Sequence, residues 1–163
     1  MNGESEIGRI AEQEARLRFR TFDTQTAWIL GTWIRDAAIQ RGLRIAFEVH
    51  ANGMTVFQHA MAGTTPDNAD WIRRKRNLVL RMHASSLTYH FKQQVWGMGI
   101  DARLGLPLQD YAASGGGFPI RVAGAGCIGA LVVSGLTGRQ DHDLAVEAIA
   151  AALDVPLAEV ALD

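Results

Sequence analysis

The segment Leu43-Arg44-Ile45-Ala46-Phe47-Glu48-Val49-His50 alternates apolar and polar residues with period two, and Asn52-Gly53 follows it. Such alternation predicts a strand with one covered face, because successive side chains leave a pleated backbone on opposite sides. Asn-Gly tolerates positive φ at both centres of a type I′ turn, so Met54 to His59 reads as the returning arm of a hairpin. A hairpin of this kind needs further strands beside it and helices over its apolar face.

The rest of the chain supplies both. Ile7, Ile10, Ala11 and Leu17 form one stripe of an N-terminal helix over 3–18, with Glu4 and Glu6 where the helix dipole favours acids. A short extended piece over 18–22 follows. Asp23 is placed to cap a helix through Gln40, with Ala27, Trp28, Leu30, Ile34 and Ala38 toward a core and Gly42 at its left-handed end. Trp28 and Trp33 are five residues apart, roughly 140° around a helix at about 100° per residue, so one of them projects outward.

Gly63 to Asn68 is a loop in which Thr65 caps and Pro66 starts a helix whose buried stripe is Trp71, Lys75, Leu78, Val79 and Met82. Ser85 caps a further helix carrying Leu87, Phe91 and Val95, and 98–117 reads as mostly irregular. Phe118 to Ala123 and Cys127 to Ser134 form a second hairpin around Gly124-Ala125-Gly126. The second arm is apolar on both faces, as a central strand must be when helices cover both sides. Asp141 or Thr137 starts the last long helix, and 154–163, broken by Pro156, is a short appendage.

These elements predict an α+β fold in one domain over 1–163, with its core over 22–153. A length of 163 residues agrees with one domain, and 48% hydrophobic with 20% charged residues excludes a disordered chain. A formal charge of −1 argues against non-specific nucleic-acid binding, and the sparse aromatics lack the stacking pattern of RNA-binding sheets. Cys127 is the only thiol, so no intramolecular disulfide is expected. The longest uncharged run, 122–138, falls short of the ~20 apolar residues that span a bilayer, and the first residues lack an apolar signal region. The expectation is a cytoplasmic protein without a membrane or nucleic-acid partner.

Gly115-Gly116-Gly117-Phe118-Pro119-Ile120, then Gly126-Cys127-Ile128-Gly129-Ala130 ending in Ser134-Gly135, then Gln140-Asp141, form an ordered set of motifs. The set resembles the signature of the haem-degrading-domain superfamily of GlcG/HbpS-like proteins. Asn52-Gly53, Gly63 to Asn68, Arg74-Lys75-Arg76-Asn77 and Ser85-Ser86 resemble an uncharacterised branch of it. The resemblance spans about Phe22 to Leu153. It implies a profilin-like domain, an antiparallel five-stranded sheet with helices on both faces, that assembles as a homo-oligomer. It also implies haem or a similar ligand as the bound group. His142 stands where the superfamily usually has an acidic residue, and no haem ligand transfers residue by residue.

The chemistry readable from the residues is spare. The five histidines form no paired metal motif. His50 and His59, at strand ends, are candidate axial haem ligands set against plain solvent-facing histidines. Ser134 with Asp141-His142-Asp143 resembles part of a hydrolytic set, but adjacent helical residues diverge, and no catalytic assignment follows.

The sharper candidate is an anion pocket. Arg73, Arg76 and Asn77 lie near one helix face, and Arg76 and Asn77 with the bare backbone of Gly115, Gly116 and Gly117 would offer fork donors and N–H groups. Ser85 and His142, inside the resembling motifs, join the ligand-binding set, while Arg74 is expected to face solvent. The glycines equally suit packing space where a helix or a second subunit comes close. The expected function is binding of a small ligand, haem or another anion. The alternative is a non-enzymatic homo-oligomeric assembly or adaptor protein. A dimer or larger ring burying at least about 1,600 Å² per subunit pair is expected.

Overall fold

The computed structural model describes residues 2–162. Helix α1 (Gly3–Arg16) leads into a two-residue strand β1 (Arg18–Phe19) and helix α2 (Thr24–Arg41). The hairpin follows as β2 (Ala46–Ala51) and β3 (Met54–Ala60), then α3 (Pro66–Met82), α4 (Ser86–Trp96) and α5 (Ile100–Leu104). Strands β4 (Gly117–Val122) and β5 (Gly126–Ser134) precede α6 (Gly138–Ala152) and a 3-10 turn over Leu157–Glu159. The strands form one five-stranded sheet in the order β1-β4-β5-β2-β3.

This is the expected α+β arrangement with helices on both faces, with one departure in strand direction. β1 runs parallel to β4, so the sheet is mixed and only its other pairs are antiparallel. Strand β5 is central and covered on both sides. Phe47, Val49, Phe118, Ile120, Leu131 and Val133 pack beneath α2 and α6. Ala46, Ala130 and Val132 pack beneath Ile72 and Val79 of α3 on the opposite face.

Local signals account for the element ends. Asn52 and Gly53 have φ of 51° and 84°, the left-handed pair that a type I′ turn requires. The Asp23 carboxylate accepts from Thr26 N at 2.8 Å, and Gly42 ends α2 at φ 64°. Thr65 and Thr137 start α3 and α6 in capping boxes with Asn68 and Gln140.

Three expectations are corrected. The strand begins at Ala46 rather than Leu43, and its polar face is not solvated, since Ala46 and Glu48 are buried under α3. α1 buries Glu6, Ile10, Gln13 and Glu14, while Ala11 is exposed, because the surface it packs on is polar. Glu14 shows why: its carboxylate accepts from Ser85 N at 2.7 Å and from Arg121 Nη2 at 2.8 Å. Finally, 98–117 contains α5, a five-residue helix closed by Gly105 at φ 69°. No helix among the described residues is long and apolar enough to cross a membrane.

Candidate functional site

The residues proposed for an anion pocket are distributed over separate structural jobs. Arg73 pairs with Asp70 and Asp110 and donates to the Gln109 carbonyl, while Asn77 donates to the Asp110 carbonyl. Together they pin the 107–113 segment onto α3. Arg76 lies elsewhere, holding both oxygens of buried Glu48 at 2.7 and 3.0 Å. Arg74, expected to face solvent, instead bonds Asp70 at 2.8 Å and stacks on the Trp71 ring at 4.1 Å.

Ser85 is fully buried and caps α4. His142 is 0% exposed beneath α1, its Nε2 paired with Gln13 Oε1 at 2.9 Å. The three glycines are closed in by this chain's own backbone and side chains. A Cβ on Gly115 would overlap the Gly138 carbonyl, and one on Gly117 would come within 2.8 Å of Val79. The Gly117 N–H is already taken by Ser86 Oγ at 2.9 Å. Close packing against α3 and α6 therefore fills the space around these glycines.

A small polar cleft of about 220 Å³ opens where α3, the end of β5 and the start of α6 meet. Lys75 and Asp141, each 2% exposed, lie at its floor. Lys75 Nζ donates to Asp141 Oδ2 and to the Val133 carbonyl, both at 3.0 Å. Asp141 Oδ1 accepts from Leu136 N at 3.0 Å. Burial pulls the Lys75 ammonium down and pushes the Asp141 carboxyl up, and their mutual attraction opposes both shifts. Gly116, at φ 121°, leaves room for the ammonium, since a Cβ there would sit 2.8 Å from Nζ. Lys75 already stands in the expected buried stripe of α3. A charge on a buried face demands a partner, but nothing in the sequence pointed to Asp141 as that partner.

The larger concavity lies on the opposite face, between α2 and the edge strand β3, with a volume of about 560 Å³. At Gly31 the Phe57 ring lies against the bare α2 backbone, where any Cβ would overlap it. Trp28, 59% exposed, meets Phe57 edge-on at 5.6 Å. Trp28 was expected to face the core. It is the tryptophan that projects, while Trp33 is partly buried against the core. Arg35, Val56 and His59 complete the walls. The His59 ring sits 5.7 Å from that of Phe47 and has no hydrogen-bond partner among the described residues. His50, the other histidine singled out, is mostly buried beside Glu48, its imidazole held below its ordinary range by burial and Arg76.

The family described as "Haem degrading protein HbpS-like" matches residues 22–150. The chain belongs to the HbpS-like family. Within it, the chain is 50% identical to a UPF0303 protein of Azotobacter vinelandii over 163 residues, covering 100% of this chain and 98% of that one. Its fold is similar to the crystal structure of the Ybr137w protein, with TM-score 0.85 and 27% identity over 91% of this chain and 89% of that one. It is also similar in fold to the crystal structure of the PduOC:heme complex, with TM-score 0.68 and 22% identity over 84% and 98% of the two chains. The motifs over 115–141 therefore mark an HbpS-like sheet.

Proposed function

We propose that this HbpS-like protein binds haem in the groove between α2 and β3. The observation that carries the reading is the donor set of that groove. It combines a free imidazole, His59, with the aromatic walls Trp28 and Phe57 and a guanidinium, Arg35. Neutral histidine is a common axial ligand of haem iron, aromatic walls suit the macrocycle, and a guanidinium suits its carboxylates. The volume falls within the range typical of small-molecule sites, about 300–1,000 Å³. The polar 220 Å³ cleft over Lys75 lacks both the size and a histidine wall. Bound in the groove, haem supplies a redox-active iron. The protein's own part is to hold it, His59 toward the metal and Arg35 toward a carboxylate.

Titration with hemin tests this. The expected result is a saturable Soret shift at one site per subunit. His59→Ala should change the spectrum and weaken binding by about tenfold or more, the equivalent of ~1.4 kcal/mol. Absence of saturation, or an identical spectrum and affinity in the variant, removes the proposal.

A second reading, homo-oligomeric assembly, is favoured by the same face. Trp28, Thr32, Arg35 and Ile39 form one stripe of α2, with Trp28 and Ile39 exposed, beside exposed Met54 on the edge strand. Apolar surface gathered next to an unpaired strand edge is what subunit contacts cover. Sedimentation at micromolar concentration should show a dimer or larger species, and Trp28→Glu should shift it toward monomer. A wild-type monomer at that concentration rules assembly out.

A further inference from the structure

A third concavity has no part in the haem reading. It has a volume of about 490 Å³ and lies where the end of α1, strand β1, the first turns of α2 and the chain after α6 converge. Phe19, Ile29, Leu153 and Val155 supply its apolar lining, with the polar Thr21 and Thr26 beside them. Three arginines stand around it, Arg16, Arg18 and Arg20, and no acidic side chain lines it.

The arginines differ in what holds them. Arg16 is committed, its Nη2 2.6 Å from Glu159 Oε2 and its Nη1 3.1 Å from the Glu159 carbonyl. The side chains of Arg18 and Arg20 have no hydrogen-bond or ion-pair partner among the described residues. The nearby carboxylate in sequence, Asp23, is spent on capping α2, accepting from both Thr26 N and Thr26 Oγ1. Two guanidinia without partners among the described residues thus border a hollow that is apolar on one part of its lining. Guanidinium is a planar fork that binds carboxylate through paired charge-assisted hydrogen bonds.

We propose that this hollow is a binding site for an amphipathic carboxylate, an apolar chain or ring carrying one carboxylate group. The apolar body lies against Phe19, Ile29, Leu153 and Val155, and Arg18 and Arg20 take the carboxylate. The short β1 makes the arrangement possible. Pairing with β4 fixes Arg18 and Phe19 in extended backbone, so Phe19 turns into the core while Arg18 stays at the surface. The site shares no lining residue with the α2/β3 groove. It stands or falls independently of haem binding.

The test uses the whole protein and dodecanoate, kept below its micellar concentration, in isothermal titration calorimetry. Dodecanol, equal in chain length but uncharged, is the comparison ligand. The expected result is saturable binding of dodecanoate at one site per subunit and much weaker binding of dodecanol. The double variant Arg18→Gln/Arg20→Gln should lose about tenfold or more in dodecanoate affinity, as removal of charge-assisted hydrogen bonds requires. Arg81→Gln, an exposed arginine on α3, should bind like the wild type. Circular dichroism of the double variant should match the wild type, because both side chains are exposed and unpaired. No saturable binding, equal binding of the two ligands, or unchanged affinity in the double variant would each overturn the proposal.

Discussion

Replacing Lys75 by methionine should lower the unfolding free energy by about 3–5 kcal/mol, the usual cost of stripping one partner from a buried ion pair. The ammonium spans two layers of the fold. It leaves α3 on one face of the sheet and reaches Asp141 in the first turn of α6 on the other, touching the Val133 carbonyl at the end of β5. Without it, Asp141 keeps backbone N–H groups alone, Leu136 N opposite Oδ1 and Gly135 N, and remains a nearly water-free carboxylate. Burial already pushes that carboxyl up, and losing Lys75 pushes it further. The destabilisation should therefore shrink as pH falls and Asp141 takes a proton. Lys75→Met/Asp141→Leu should recover much of the loss, because neither charge is then buried alone. Urea midpoints of the three proteins at pH 7 and pH 5 decide it. A single-variant loss below about 1 kcal/mol would mean that the pair is dispensable.

The legible parts of the fold were those whose information is local. Asn52-Gly53 states its own geometry, and Asp23, Thr65, Ser85 and Thr137 each cap the helix beside them. The apolar run of β5 marks a strand covered on both faces. Pattern reading failed where polar groups are buried because they are paired. Glu48 looked like the wet side of a strand, yet Arg76, 28 residues on, bonds it beneath α3. Glu6, Gln13 and Glu14 looked like the wet side of α1, yet they form its inner face. Helix α5 was missed because five residues between two glycines carry no period.

The candidate sites follow the same division. From its place at the end of β3, His59 is, like His50, a candidate iron ligand set against a plain solvent-facing histidine. Its meeting with Trp28 and Arg35 depends on how α2 lies over that strand, with the Phe57 ring against the bare backbone of Gly31. Likewise, the triple glycine had two readings of equal standing. Only the approach of Lys75, Val79 and Gly138 shows what occupies the space.

Stability should fall steadily as pH drops below about 6.5, and His142 should account for a large share of the fall. The imidazole is fully enclosed, and burial, with the nearby Arg139 guanidinium, holds its pKa down to about 3 against an ordinary 6.5. Its hydrogen bonding fits the neutral form. Gln13 Nε2 donates to the Val160 carbonyl at 2.6 Å, so Gln13 Oε1 is left to accept from His142 Nε2. Nδ1 then has no partner and nowhere to place a second proton.

Between the two pKa values the unfolded chain binds this proton and the folded one does not. Folding is therefore penalised by about 1.4 kcal/mol for each pH unit below the unfolded value. At pH 4.5 the expected loss from this group is about 2–3 kcal/mol relative to pH 7. The raised carboxyls of Asp141 and Asp143 act in the opposite direction, since the folded state takes their protons first. The contribution of His142 must accordingly be read as a difference. His142→Gln keeps an N–H donor for Gln13 and removes the titration. The gap in unfolding free energy between wild type and variant should move in favour of the variant by that 2–3 kcal/mol from pH 7 to pH 4.5. A gap that stays constant across the range would show that this imidazole takes up its proton in the folded state as readily as in the unfolded one. The sealed interface between α1 and α6 would then have to open in the native protein.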